Sequence, residues 1–123
     1  MRLVGLLALE AWSLVACAPP PVPQPPPFRL ECGLGYELLA REIAALPDIQ
    51  LAKSPGEPYR YFNSADGQTS YVVTLPGGAG HPAIIQQRST PNGMADAGCA
   101  YGNMAGYNEL LAYLKNLAGA RRP

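Results

Sequence analysis

The chain has 123 residues, and its nine basic and nine acidic side chains give a formal net charge of zero. This length allows one small domain with a modest core. The neutral balance argues against the basic surface that nucleic acids or anionic lipid headgroups attract, so no nucleic-acid partner is expected.

The chain begins with Arg2 followed by an apolar stretch, the pattern of an export leader. An uncleaved membrane helix is the alternative. The stretch is shorter than the roughly 20 apolar residues that a span needs, and Glu10 would lie inside it. We therefore expect residues 1–16 to be a signal peptide.

The leader ends at Leu14, Val15, Ala16 and Cys17, a quartet that resembles the lipobox of bacterial lipoproteins. The resemblance implies cleavage before Cys17 by signal peptidase II, a diacylglyceryl thioether on its sulfur and an acylated amino group. The anchor's partner is then the lipid bilayer. In a Gram-negative cell, Ala18 after that cysteine implies the outer membrane, facing the periplasm. In a Gram-positive cell the same leader implies the outer face of the plasma membrane.

A proline-rich linker is expected after the lipidated cysteine, so that residues 17–31 connect the anchor to the domain. Residues 19–27 hold half of the chain's 14 prolines. Such a segment forms an extended polyproline II rod of roughly 30 Å at about 3.1 Å per residue. A spacer that holds the domain away from the membrane is favoured over a PxxP ligand for SH3-type domains.

Lipidation of Cys17 leaves Cys32 and Cys99 as a pair of cysteines in an exported domain, where disulfides persist. The sequence therefore predicts a Cys32–Cys99 disulfide, with two independent buried thiols as the alternative. No CxxC or CxxH spacing occurs, so neither a zinc site nor a redox-active pair is expected. No other metal or cofactor is expected.

Apolar periodicity predicts a helix over residues 33–46, ended by Pro47, and a second over residues 104–118, ended by Gly119. Short alternating segments between them predict five antiparallel strands, at residues 49–53, 59–62, 70–75, 82–88 and 94–101. Residues 32–123 are thus expected to form an α+β domain. We predict a two-layer sandwich, an antiparallel sheet of four to five strands flanked by the N-terminal and C-terminal helices on one face.

Large side chains occupy both faces of one predicted strand, Tyr59, Arg60, Tyr61 and Phe62. If both helices cover one sheet face, one alternate pair of these side chains faces outward. Tyrosine and arginine are favoured in binding sites. The strand is therefore predicted to bind an envelope protein or a cell-wall partner. The alternatives are that the linker or a loop covers this face, or that the tyrosines are ordinary amphipathic surface residues.

The only histidine, His81, follows the glycine-containing residues 77–80. No helix follows and the Walker Lys-Ser/Thr is missing, so a mobile hairpin turn is favoured over a phosphate loop. Ser64, Ser70 and Ser89 are available as nucleophiles, but none lies in a recognised nucleophile motif. No carboxylate pair of the glycosidase kind is found. No catalytic residue is therefore expected.

Three functions remain open at this level. The favoured one is a non-catalytic envelope lipoprotein with a binding domain. The second is an inhibitor of a periplasmic hydrolase that uses residues 77–81 as an exposed loop. The third is a small hydrolase built around His81.

Overall fold

A computed structural model describes residues 28–52 and 56–120. The predicted signal peptide, Cys17 and the proline run through Pro27 lie outside the described residues. Within them, all the predicted helices and strands are confirmed. The elements in chain order are a 3-10 turn (Cys32–Leu34), helix α1 (Tyr36–Ala44), strands β1 (Gln50–Ala52), β2 (Tyr59–Asn63), β3 (Thr69–Thr74), β4 (Ala83–Thr90) and β5 (Gly93–Ala100), and helix α2 (Met104–Ala120).

The five strands form one antiparallel sheet in sequence order, β1-β2-β3-β4-β5. Each strand pairs with the next along the chain, as Val72 of β3 does with Ile85 of β4. Such a meander needs only tight connections, and turn-forming residues supply them in each gap. The α+β class and the antiparallel sheet are confirmed.

The two helices lie on opposite faces of the sheet, so the prediction that both cover one face is wrong. Helix α1 packs Leu39 and Ile43 in a cluster with Phe62, Tyr71, Val73 and Ile84. Helix α2 packs Leu110 and Leu114 in a second cluster with Tyr59, Val72 and Ile85. The domain therefore has three layers, with the sheet in the middle.

The reason lies in the central strands, which carry consecutive apolar residues. Successive side chains of a strand point to opposite faces. Tyr71, Val72 and Val73 therefore supply bulk to both faces of β3, as Ile84 and Ile85 do in β4. A continuous apolar run is typical of a strand buried on both sides, whereas a half-exposed strand alternates with polar residues.

The Cys32–Cys99 disulfide is confirmed, and it joins the two ends of the domain. Its Cα atoms lie 5.4 Å apart across 67 residues of sequence. Cys32 begins the 3-10 turn that precedes α1, while Cys99 is buried in β5. The bridge thus fixes the start of α1 to the sheet.

The packed region begins before the disulfide, inside the segment assigned to the linker. The ring of Phe28 lies edge-on to Tyr71, with 5.9 Å between ring centroids. Leu30 packs against the same cluster on the α1 side of the sheet. The last residues of the predicted linker therefore belong to the folded domain.

The glycines of residues 77–81 place this loop against the beginning of α2. Gly80 is buried, with φ +72°, and a Cβ added there would lie 2.5 Å from the backbone nitrogen of Tyr107. A Cβ on Gly106 of α2 would in turn lie 2.4 Å from the nitrogen of Gly80. Glycine on both sides allows this close backbone approach. The connection is a hairpin between β3 and β4, as expected, and its end at Gly80 packs against α2.

Across residues 28–52 and 56–120, neither helix combines the length and the hydropathy that crossing a bilayer requires.

Candidate functional site

The side chains of β2, the strand predicted to bind a partner, alternate between the two faces of the sheet, and a helix covers each face. Tyr59 and Phe62 are only 8% and 6% exposed, under α2 and α1 respectively. Arg60 is exposed and Tyr61 is half-buried beside the α2 cluster. The expectation of an uncovered sheet face bearing an aromatic patch is wrong, because each face has its own helix. Partner binding by this strand stays a prediction, with only Arg60 and Tyr61 accessible.

A groove of about 480 Å³ lies between the sheet and the C-terminal half of α2. Leu110 and Leu114 cover the apolar centre of this face, and the strands continue past that cover. Beyond these two leucines, the side chains of the strands that face α2 are polar. The groove's floor is formed by Asn63, Ser70 and Gln87.

These three floor residues are direct neighbours across β2, β3 and β4. Asn63 pairs with Ser70, and Ser70 pairs with Gln87, in the register of the sheet. The hydroxyl of Ser70 donates a hydrogen bond of 2.9 Å to Oδ1 of Asn63. The Asn63 amide therefore keeps its NH₂ group as a donor for another partner.

Gln87 is the unusual member of the floor. Gln87 is only 5% exposed, yet its side-chain amide makes no hydrogen bond to any of the described residues. A buried amide without a partner costs about 1–3 kcal/mol. Native structures seldom keep such a group unless it serves a site, a water or an ion.

The preceding residue, Gln86, shows the ordinary arrangement. It is also 5% exposed but points to the α1 side of the sheet. Its Nε2 donates to the hydroxyl of Tyr71 and to the carbonyl oxygen of Phe28, each at 3.4 Å. Two equally buried glutamines thus differ in that only one has partners within the described residues.

The groove's walls are apolar and aromatic, and its described lining is uncharged. Tyr61, Met94, Leu114 and Leu117 form the walls. Among the described residues, no Asp, Glu, Lys, Arg or His lines the groove. Its described lining therefore offers hydrogen bonds and apolar contacts, and the Tyr61 hydroxyl is the one group in it of a kind that acts as a general acid or base.

A second, smaller cavity of about 260 Å³ lies at the other end of α2, where Tyr59 and Tyr113 meet Glu57 and Glu109. Burial raises the pKa of the Tyr59 hydroxyl to about 12, and its hydrogen bond with Tyr113 adds to the increase. This hydroxyl therefore stays protonated at neutral pH and cannot act as a base there. Among the residues described as lining this cavity, none is a buried amide without a partner, as Gln87 is.

His81 holds the β3–β4 connection together. Its Nδ1 lies 2.8 Å from the hydroxyl of Thr74, which also accepts a 2.9 Å hydrogen bond from the backbone N–H of Ala83. The ring of Tyr36 lies edge-on to the imidazole, with 5.2 Å between centroids. The Tyr36 hydroxyl donates to the Thr74 carbonyl. Thr74 is 1% exposed, while His81 and Tyr36 are half-buried, so Nδ1 of His81 is engaged with a buried hydroxyl and links the loop to the sheet.

The candidate serine nucleophiles have other partners. Ser64 donates to Asp66 at 2.6 Å, Ser70 to Asn63 at 2.9 Å, and Ser89 lies 3.5 Å from the sulfur of Met94. None hydrogen-bonds His81 within the described part of the chain. The structure does not bring together the Ser-His pair that a hydrolase needs.

Asp66 has a capping role in the β2–β3 turn. The hydroxyl of Ser64 and the backbone N–H of Gln68 both donate to its carboxylate, and these bonds lower the pKa of Asp66. Over residues 28–52 and 56–120, no group of three or more His, Cys, Asp or Glu is placed to hold a metal ion.

No protein-family model, no curated protein and no solved structure matches the chain.

Sequence reasoning missed the groove, although the strand period contains a signal for it. Gln87 lies two residues after the buried Ile85, and Ser70 lies two residues before Val72. The period of two therefore assigns both polar residues to an inward face. The signal becomes visible only once that face is known to be covered by a helix, because polar residues on an open face are ordinary.

Proposed function

We propose that this chain is a bacterial envelope lipoprotein, anchored through acylated Cys17, whose domain is a non-catalytic binding module. The groove between the sheet and α2 is its binding site. The anchor rests on the leader and the Leu14–Cys17 quartet, which resembles a lipobox. Two or more acyl chains on one cysteine give durable attachment, which a single chain does not.

The disulfide supports an exported location. Bridges of this kind persist in the periplasm and outside the cell, while cytosolic thiols are kept reduced. The Cys32–Cys99 bridge spans 67 residues and joins α1's start to β5. A small domain with a modest core gains substantially from such a crosslink.

The single observation that carries the binding function is the amide of Gln87. It is buried at the floor of a groove whose described lining is uncharged, and it has no partner among the described residues. A ligand that hydrogen-bonds this amide would remove the cost of its burial. The described lining also holds no His, Asp, Glu or Lys, the side chains that acid–base catalysis most often uses, which favours binding over turnover.

The inhibitor alternative has less support. It relies on residues 77–81 as an exposed loop, and although Gly77 is exposed, Gly80 is buried against the first turn of α2. The hydrolase alternative required a nucleophile beside His81, whose Nδ1 instead faces the buried Thr74 hydroxyl. No observation favours either one over a binding module.

The anchor is tested by Cys17→Ser in the full chain, expressed in a bacterial host and followed by membrane fractionation. Serine lacks the sulfur that forms the thioether, so the variant is expected to leave the membrane fraction almost completely. Cys32→Ser is the matched control, since it also loses one sulfur but is expected to stay with the membrane. Equal membrane retention of both variants would refute anchoring through Cys17.

A further inference from the structure

We propose that the groove binds an uncharged saccharide, a proposal that rests on the binding function assigned to it above. The ligand class follows from three features of the groove: its charge, the geometry of its floor and the composition of its walls.

The uncharged side chains of the described lining favour a neutral ligand. Phosphate and carboxylate groups are usually bound by Arg or Lys, and cationic ligands by carboxylates or aromatic cages. Among the described residues, none of the four charged residue types lines the groove. A neutral ligand rich in hydrogen-bonding groups therefore matches the described lining best.

The floor presents amide groups in a row across the sheet. Gln87 offers both a carbonyl oxygen and an NH₂ group, and Asn63 offers the NH₂ group that Ser70 leaves free. Adjacent strands lie about 4.8 Å apart, so these groups are spread over two strand spacings. A planar amide can accept from one hydroxyl and donate to its neighbour, as the vicinal hydroxyls of a sugar ring allow.

The walls of the groove match the apolar faces of a sugar ring. A pyranose ring has apolar C–H groups on its faces and hydroxyls around its edge. Tyr61, Leu114 and Met94 supply aromatic and aliphatic surface beside the polar floor. A volume of about 480 Å³ falls within the roughly 300–1,000 Å³ of small-molecule sites, so a short oligosaccharide segment fits.

A peptide is a poorer match for the same groove. Extended peptides are commonly bound through their backbone at an open sheet edge. The floor lies on β2, β3 and β4, and each of these strands is paired on both sides. The backbone there is already hydrogen-bonded, so only side-chain amides and hydroxyls are offered to a ligand.

The test is a titration of the ¹⁵N-labelled full chain in detergent, followed by NMR. The probes are two neutral trisaccharides, of β-1,4-linked N-acetylglucosamine and of α-1,4-linked glucose, with acetyl-trialanine amide as the neutral peptide. At least one trisaccharide is expected to bind with a dissociation constant on the order of 1 mM or tighter. The side-chain NH₂ signals of Gln87 and Asn63 are expected to shift, while those of Gln86 stay in place.

Gln87→Met is the test variant, and Gln86→Met is its matched control on the opposite face. Gln87→Met is expected to weaken trisaccharide binding by about tenfold or more, without lowering Tm, because it removes a buried amide that has no partner among the described residues. Gln86→Met is expected to retain the affinity. Loss of affinity without loss of Tm separates a binding role from a structural one.

Several outcomes would overturn the saccharide assignment. It fails if neither trisaccharide shifts the Gln87 signals at about 10 mM, far above the expected dissociation constant, or if Gln87→Met binds as well as the unmodified chain. Shifts caused by the peptide alone would also overturn it, yet would leave the groove as a binding site. If Cys17→Ser stays in the membrane fraction, the anchor fails independently of these titrations.

Discussion

Replacing Cys32 with alanine is expected to lower the free energy of unfolding by about 2–5 kcal/mol. The bridge closes a long loop, with a sequence separation of 67 residues, and so restricts the unfolded chain. Cys32 itself is exposed, and little packing is lost with it. The effect therefore reports on the crosslink and not on a cavity. It is a large part of the roughly 5–15 kcal/mol that stabilises a typical domain.

Urea unfolding of the full chain with and without a reducing agent measures this effect. Reductant is expected to lower the midpoint of the unmodified chain and to leave that of Cys32→Ala unchanged. Cys99→Ala is expected to cost somewhat more than Cys32→Ala, because Cys99 is buried in the α1-side cluster. A midpoint that does not respond to reductant in the unmodified chain would show that the bridge contributes no stability.

Replacing Gly80 with alanine is expected to cost about 2–5 kcal/mol, the sum of two effects. Gly80 has φ +72°, where a side chain costs about 1–2 kcal/mol. The added Cβ would also lie 2.5 Å from the nitrogen and 2.7 Å from the Cα of Tyr107. These are backbone atoms, so the start of α2 must move, and overpacking of this kind costs about 1–3 kcal/mol.

Gly67→Ala is the matched control for this substitution. Gly67 has the same φ of +72°, but nothing lies within 4 Å of the Cβ it would gain. Only the backbone strain remains, partly offset by the lower entropy of the unfolded chain, so a cost of about 1 kcal/mol is expected. Urea unfolding of both variants isolates the contact between the loop and α2. Equal losses in the two variants would mean that this contact does not hold the helix.

The order and type of the elements could be predicted because local signals agree with one another. Pro47 follows α1 closely, and the Asn63 to Gly67 and Pro91 to Gly93 gaps carry the residues that turns require. The cysteine pair followed from an argument about export and not from geometry. Its confirmation shows that a long-range contact can be predicted when the export argument leaves only two cysteines to pair.

The placement of the helices could not be predicted with the same reasoning. The apolar stripe of a helix indicates which face of the helix is buried. It does not indicate which side of the sheet the helix packs against. The consecutive bulk of Tyr71, Val72 and Val73 was the local sign of two covered faces. The close approach of Gly80 to Gly106, which places the first turn of α2 against the β3–β4 loop, depends on backbone positions distant in sequence.

The most direct test of the account is the intact mass of the chain extracted from bacterial membranes, alkylated before and after reduction. The account predicts a chain that begins at Cys17, carries added lipid mass and takes up no alkylating agent until Cys32 and Cys99 are reduced. A chain that retains residues 1–16, or whose Cys17 is alkylated as a free thiol, would contradict it.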